Sequence, residues 1–220
     1  MLTRRGDAVN TGWNATHLNC DRFGDFFLTD AIRPGPAASN MPRQGYRVQI
    51  YRDRKAGLRM PMLTASVSKE KLFDAFLALM EPLGNSLHVV LESSHQSRHG
   101  GTVSEFRRHG MDKPVLLSHF CEFEDLLMND GCTGIAVMSR KKFVEVQFDE
   151  HKLLHVYAEN LKPFRRALRD LGVRKRELLP LISEAEHLHH TTDEYTDTFQ
   201  QLCTWVGVED FEGVMSDEME

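Results

Sequence analysis

Three strand-like runs follow one another at residues 133–158, and the chain leaves only four residues for each turn between them. The runs are 133–138, 143–148 and 153–158. Connections this short cannot carry a strand back across a sheet, because parallel neighbours need a crossover of a dozen residues or more. The runs are therefore expected to form an antiparallel meander. That constraint points to an α+β fold, mainly antiparallel sheet with helices on one face.

The rest of the chain supplies the other pieces. Val48 and Ile50 alternate with polar residues, as in a half-buried strand, and 60–67 reads as its hairpin partner across a polar loop at 52–59. Ser68 is placed to cap a helix whose apolar stripe is Leu72, Phe73, Phe76, Leu77, Met80 and Leu83, with Gly84 as the stop. A third strand is expected at 87–93. Thr102 and Glu105 have capping-box spacing and predict a short basic helix toward His109. Ser118 predicts a helix over 119–128, and Asn160 predicts one through Leu161, Phe164, Leu168 and Leu171. Residues 178–185 read as a strand despite Pro180, and Thr191 with Glu194 opens a last helix closed by Gly207. Residues 1–45 lack periodicity, but Phe23, Phe26, Phe27, Leu28 and Ile32 form a cluster too apolar to leave in water.

Two stretches match each other. Arg47-Val48-Gln49-Ile50 resembles Glu145-Val146-Gln147-Phe148, and each leads through a second strand to a capped helix ending in Leu-Gly, at Leu83-Gly84 and Leu171-Gly172. The strand beginning at Leu87 aligns with the one beginning at Leu179. The expectation is an internal duplication of a strand–strand–helix–strand–helix unit. Its parts are an irregular segment at 1–45, a first repeat at 46–117, a second at 118–207 with its preceding helix, and a mobile acidic tail at 208–220.

That tail changes the meaning of the net charge of −5. It holds six acids and no base, so the remaining residues sum to +1. Arginine and lysine cluster at 43–59 and at 162–176, which fits phosphate contact, although an amphipathic helix with a wet basic face explains the second cluster as well. Cys20, Cys121, Cys132 and Cys203 match no zinc framework and read as reduced thiols. The first residues lack a secretory pattern and no run is long enough to span a bilayer, so a cytoplasmic protein without membrane contact is expected.

The histidines give the strongest hint of a site. Of eleven, His95, His99, His187, His189 and His190 lie just past the two aligned strands. Alternation along a strand places His187 and His189 on one face, and puts His95 on the core side at the end of its own strand. The expected ligand cleft lies between the repeats and holds His95, His99, His187, His189 and Glu184, with His95, His187 and His189 as the metal-ligand set. Glu184 or Glu186 beside these imidazoles would suit zinc, nickel or iron. Other templates are thin. Ser93-Ser94-His95 has nucleophile and base types on opposite strand faces, and Asp149-Glu150-His151 reads as a solvated hairpin turn.

Three functions follow in order. The first is a non-catalytic binding or regulatory protein for a small molecule or protein, needing no cofactor. The alternative is a metal-dependent hydrolytic enzyme using the histidine cluster and a divalent transition metal such as zinc. The third is nucleic-acid binding through the arginine clusters, which the near-neutral body disfavours. A second copy of the chain is a further candidate partner.

Overall fold

The structure is a computed structural model, and it describes residues 19–36, 41–95, 103–139 and 141–210. The meander forms as its short turns require. Strands β8 (Thr133–Ser139), β9 (Val144–Phe148) and β10 (Leu154–Ala158) are consecutive antiparallel neighbours. The hairpin of β4 (Gly45–Asp53) and β5 (Leu58–Ser66) joins them through β5 and β10. On the other side β8 pairs with β6 (Ser86–Ser93), and β6 with β7 (Ser104–Asp112). With β12 (Glu209–Asp210) on the edge of β7, the order is β12-β7-β6-β8-β9-β10-β5-β4, antiparallel throughout.

Alternation sends Leu63, Leu87, Val89, Leu91, Ile135, Val137, Val146, Phe148 and Val156 to one face. There they meet five helices in a single apolar cluster: α1 (Lys69–Met80), α2 (Lys113–Glu122), α3 (Glu124–Asn129), α4 (Lys162–Asp170) and α5 (Asp193–Val206). Phe76 of α1 stands at the centre, with its ring 5.5 Å from Phe120 and 5.1 Å from Phe148. The fold is thus α+β with an antiparallel sheet. No helix among the described residues is long and apolar enough to cross a membrane.

Several expectations are corrected. Thr102 lies outside the described residues, and the residues expected to form a helix from Glu105 toward His109 belong to the strand β7; they are mostly exposed, and pairing with β6 decides their form where local capping could not. Residues 178–185 are not a strand of the sheet. They run as an irregular segment and a turn of 3-10 helix at Ile182–Glu184, where Leu179 and Leu181 pack with Leu153. The helix expected at 119–128 starts earlier, behind Pro114 near the first position of α2, and breaks at Phe123. Ser68 stands at the N-cap position of α1 as expected, but its side chain makes no capping bond. Its hydroxyl donates to Glu70 and accepts from the Phe27 N–H at 2.9 Å. The acidic segment begins as β12, and residues 211–220 lie outside the described residues.

The duplication is not confirmed. A hairpin followed by a helix occurs twice, as β4–β5–α1 and β9–β10–α4. Beyond that point the aligned elements diverge, because β6 is central in the sheet while its expected counterpart never enters it.

The N-terminal cluster packs on the body. Phe26, Leu28 and Ile32 are buried with Ile182. The chain passes through a small hairpin, β1 (Arg22–Phe23) with β2 (Phe26–Phe27), into β3 (Ile32–Pro34). Strand β3 pairs with β11 (His187–His189), so residues far apart in sequence seat the histidine pair.

Candidate metal centre

Antiparallel order brings three segments to one end of the sheet, the end of β6, the start of β8 and the β9–β10 turn, and a backbone bond from Gly131 to His190 holds β11, leading into α5, beside them. Two groups of metal-ligating side chains form there. The first is His151, His187 and His189, each offering one ligand atom within 4.8 Å of the others. Their ring centroids lie 4.8, 4.9 and 5.1 Å apart. The i, i+2 placement of His187 and His189 on one strand face is as expected, and the third member comes from the β9–β10 turn.

The trio is seated by its outer ring nitrogens. His187 Nδ1 donates to the Ala185 carbonyl at 2.7 Å, and His189 Nδ1 to the Gly131 carbonyl at 2.6 Å. His151 Nδ1 bonds to the Asp149 carboxylate at 3.2 Å. A carbonyl can only accept, so the proton sits on Nδ1 and the lone pair on Nε2. Asp149 also holds His155 Nε2 at 3.1 Å and takes the Leu153 N–H at 2.8 Å. Burial works against its charge, but the bonds from His151 and His155 outweigh it and hold the carboxyl far below the usual range. Burial also opposes the charged form of His151, and Asp149 overcomes this, leaving that pKa raised. His189 is shifted down, first by burial and then by repulsion from His151 and His187.

The second group is His95, Asp130 and Cys132, again within 4.8 Å of one another. His95 Nδ1 lies 2.7 Å from the Ser93 hydroxyl, and its Nε2 lies 3.0 Å from Asp130 Oδ2. Asp130 is fully buried and accepts from the Thr133 hydroxyl at 2.5 Å. Burial raises the Asp130 carboxyl, but contacts from His95, Thr133 and Thr191 win and keep it ionised below the usual range. Burial pushes the Cys132 thiol up, and the nearby carboxylates add to this.

Lys152 lies beside both groups. It is 5 % exposed, and its ammonium donates to the Thr133 carbonyl at 2.9 Å. Burial pulls its pKa down to about 8, against the attraction of Asp130, Asp149 and Glu150. Its φ of +59° is the only positive value at a non-glycine among the described residues, a strained backbone of the kind that clusters at functional sites.

A cavity of about 370 Å³ opens beside these groups, lined by Ser94, His95, Cys132, Glu150, His189 and Thr191 among others. Of the expected site residues, then, His187 and His189 come together, while His95 joins a different group on the same cavity. Glu184 belongs to neither, because it forms an ion pair with Arg47 and caps the Leu181 N–H. His99 lies outside the described residues. The sequence reading missed His151, Asp149, Lys152, Asp130 and Cys132.

A second cavity of about 370 Å³ lies on the open face of the sheet, walled by Tyr51, Met60, His88, Met138, Glu145 and Tyr157. Burial raises the Glu145 carboxyl above its usual range. A carboxyl raised by folding supports the fold while protonated, and that support is lost as pH rises through its folded pKa. Glu145→Gln is therefore expected to raise Tm at pH 7 by roughly 1–2 °C. The gain should vanish below about pH 4, where the wild-type carboxyl is also neutral. Melting curves at the two pH values check this.

Comparison with protein-family models, with curated proteins and with solved structures finds no match. What defines the molecule is its antiparallel α+β frame with a histidine trio at one end of the sheet.

Proposed function

We propose that the protein is a metal-dependent hydrolytic enzyme, with a zinc-type divalent ion held by His151, His187 and His189. The observation that carries this reading is the seating of the three rings: every Nδ1 is held against a fixed acceptor, and the three side chains each offer a ligand atom within 4.8 Å of the others. Ligating histidines have this outer bonding, to carboxylate or carbonyl, because it fixes the tautomer and ring orientation. Three protein ligands leave a fourth position for water, as catalytic zinc sites do. The ion would supply Lewis acidity and a bound water acidic enough to serve as nucleophile near neutral pH.

The chain's own residues supply the rest. Glu150, on the cavity wall beside His189, takes up the proton that the nucleophile loses. The hydroxyls of Ser94, Thr191 and Thr196 line the same cavity and give a polar substrate its hydrogen bonds. The cavity draws His95 from the first expected repeat and Cys132, Glu150 and His189 from the second, which suits a ligand bound where the two meet.

The test uses full-length protein purified without a histidine tag. Metal content by mass spectrometry is expected to show a stoichiometric transition metal. Cleavage of chromogenic acyl and phosphate esters should disappear on chelation and return with zinc. No stoichiometric metal, and no rise in Tm on adding it, would sink the proposal. Stoichiometric metal without turnover of any ester would instead favour the non-catalytic binding role.

A further inference from the structure

The second group is built as the first is, although it uses different donors. His95 has its outer nitrogen against a fixed partner, since Nδ1 lies 2.7 Å from the Ser93 hydroxyl and that hydroxyl also takes the His95 backbone N–H at 3.3 Å. Its inner nitrogen is the anomaly. The side chain is 4 % exposed, and Nε2 stands 3.0 Å from Asp130 Oδ2, close enough to pair with it when the ring is protonated but not aligned for a hydrogen bond. A buried polar atom without a partner is costly, and a fully buried carboxylate is costlier still. A buried imidazole nitrogen without an aligned hydrogen bond, held against a buried carboxylate oxygen that has room for a further partner beside the Thr133 hydroxyl, is an arrangement that a cation between them resolves. The Cys132 sulfur lies within 4.8 Å of both.

We infer that His95, Asp130 and Cys132 form a second metal site, selective for zinc-like ions. Nitrogen, oxygen and sulfur are the three donor types zinc accepts. A thiolate in the set selects against magnesium and calcium, which take oxygen ligands. Three protein ligands leave a position open here too, and His95 and Cys132 both line the cavity shared with His189 and Glu150. Binding displaces the thiol proton to solvent, and no oxidant or reductant is needed. The site goes beyond the hydrolytic reading and does not depend on the histidine trio being loaded.

Cobalt(II) titration of metal-free, full-length protein tests this, because only a thiolate ligand gives a near-ultraviolet sulfur-to-cobalt charge-transfer band. The band is expected to saturate at one equivalent, to vanish in Cys132→Ser, to weaken at least tenfold in apparent affinity in His95→Gln, and to survive in His187→Ala. Absence of the band from the wild-type protein overturns the inference, whether or not the variants fold. A band that survives in Cys132→Ser also overturns it, since the thiolate then comes from another cysteine. Visible d–d absorption without the charge-transfer band, lost in His187→Ala, leaves the trio standing and this site refuted. The charge-transfer band with no metal at the trio refutes the trio instead.

Discussion

Replacing His187 or His189 with alanine is expected to abolish metal binding at the trio while leaving the fold in place. Losing an outer hydrogen-bond partner of a metal ligand already costs about 10–100-fold in affinity. Removing one of three direct ligands should therefore cost more than about 100-fold. The fold should survive because β11 is held to β3 by backbone pairing, and neither His187 nor His189 belongs to the apolar core. The measurement is a pair of melting curves. A ligand at 100 times its Kd stabilises the folded state by about 2.7 kcal/mol. Wild-type protein should show that zinc-dependent rise for the trio, and each alanine variant should melt at nearly the wild-type metal-free temperature without zinc and keep only the rise that the separate His95, Asp130 and Cys132 group contributes. His190→Ala is the control: it is the next residue in the chain and stands outside the group, so its rise should match wild type. Asp149→Ala should fall between, through the loss of its bond to His151.

The sequence made the sheet legible where short connections left no choice. The meander of β8, β9 and β10 and the β4–β5 hairpin are set by turn length and alternation, and both formed as read. Local signals misled where long-range pairing competed with them. Thr102 and Glu105 have the spacing of a helix start, yet Glu105 lies opposite Glu92 in the β6–β7 ladder. Leu179 and Leu181 alternate as a strand would, but their partner is Leu153 at the β9–β10 turn rather than a sheet neighbour.

The site was half legible for a related reason. The His187/His189 pair follows from the two-residue period of a strand. His151 was within reach of the same logic. In an antiparallel meander, the end of β6, the start of β8 and the β9–β10 turn must all lie at one end of the sheet, which places residues 93–95, 130–133 and 149–152 together. An acidic turn with a histidine at that end is a site component, although in isolation it reads as a solvated hairpin. What the sequence could not supply is β3, since nothing in a run of Ile32, Arg33 and Pro34 marks it as the partner of a strand some 150 residues later.

That dependence on close backbone packing makes Gly131→Ala the most damaging small substitution expected in the protein. A Cβ at 131 would overlap the Ala31 carbonyl oxygen far inside van der Waals contact and meet His190 O and N at 2.8 and 2.9 Å. All three are backbone atoms, so no rotamer change gives room, and the strand carrying the histidines must move away. Three contacts go with it: Gly131 N–H to the His190 carbonyl at 2.8 Å, His190 N–H to the Ala31 carbonyl at 2.8 Å, and His189 Nδ1 to the Gly131 carbonyl. Overpacking of this kind costs about 1–3 kcal/mol. At 2–4 °C per kcal/mol for a chain of this size, Tm should fall by roughly 2–12 °C. Zinc affinity at the trio should fall by about 10–100-fold, because the bond that orients His189 is lost. Gly134→Ala separates this effect from a general intolerance of side chains at the start of β8. Its Cβ would approach the Glu92 carboxylate at 2.9 Å, a flexible side-chain end that can swing aside. That variant should melt within about 2 °C of wild type and keep its zinc affinity. Equal losses in the two variants would show that β8, rather than the seat of His189, is what the substitution damages.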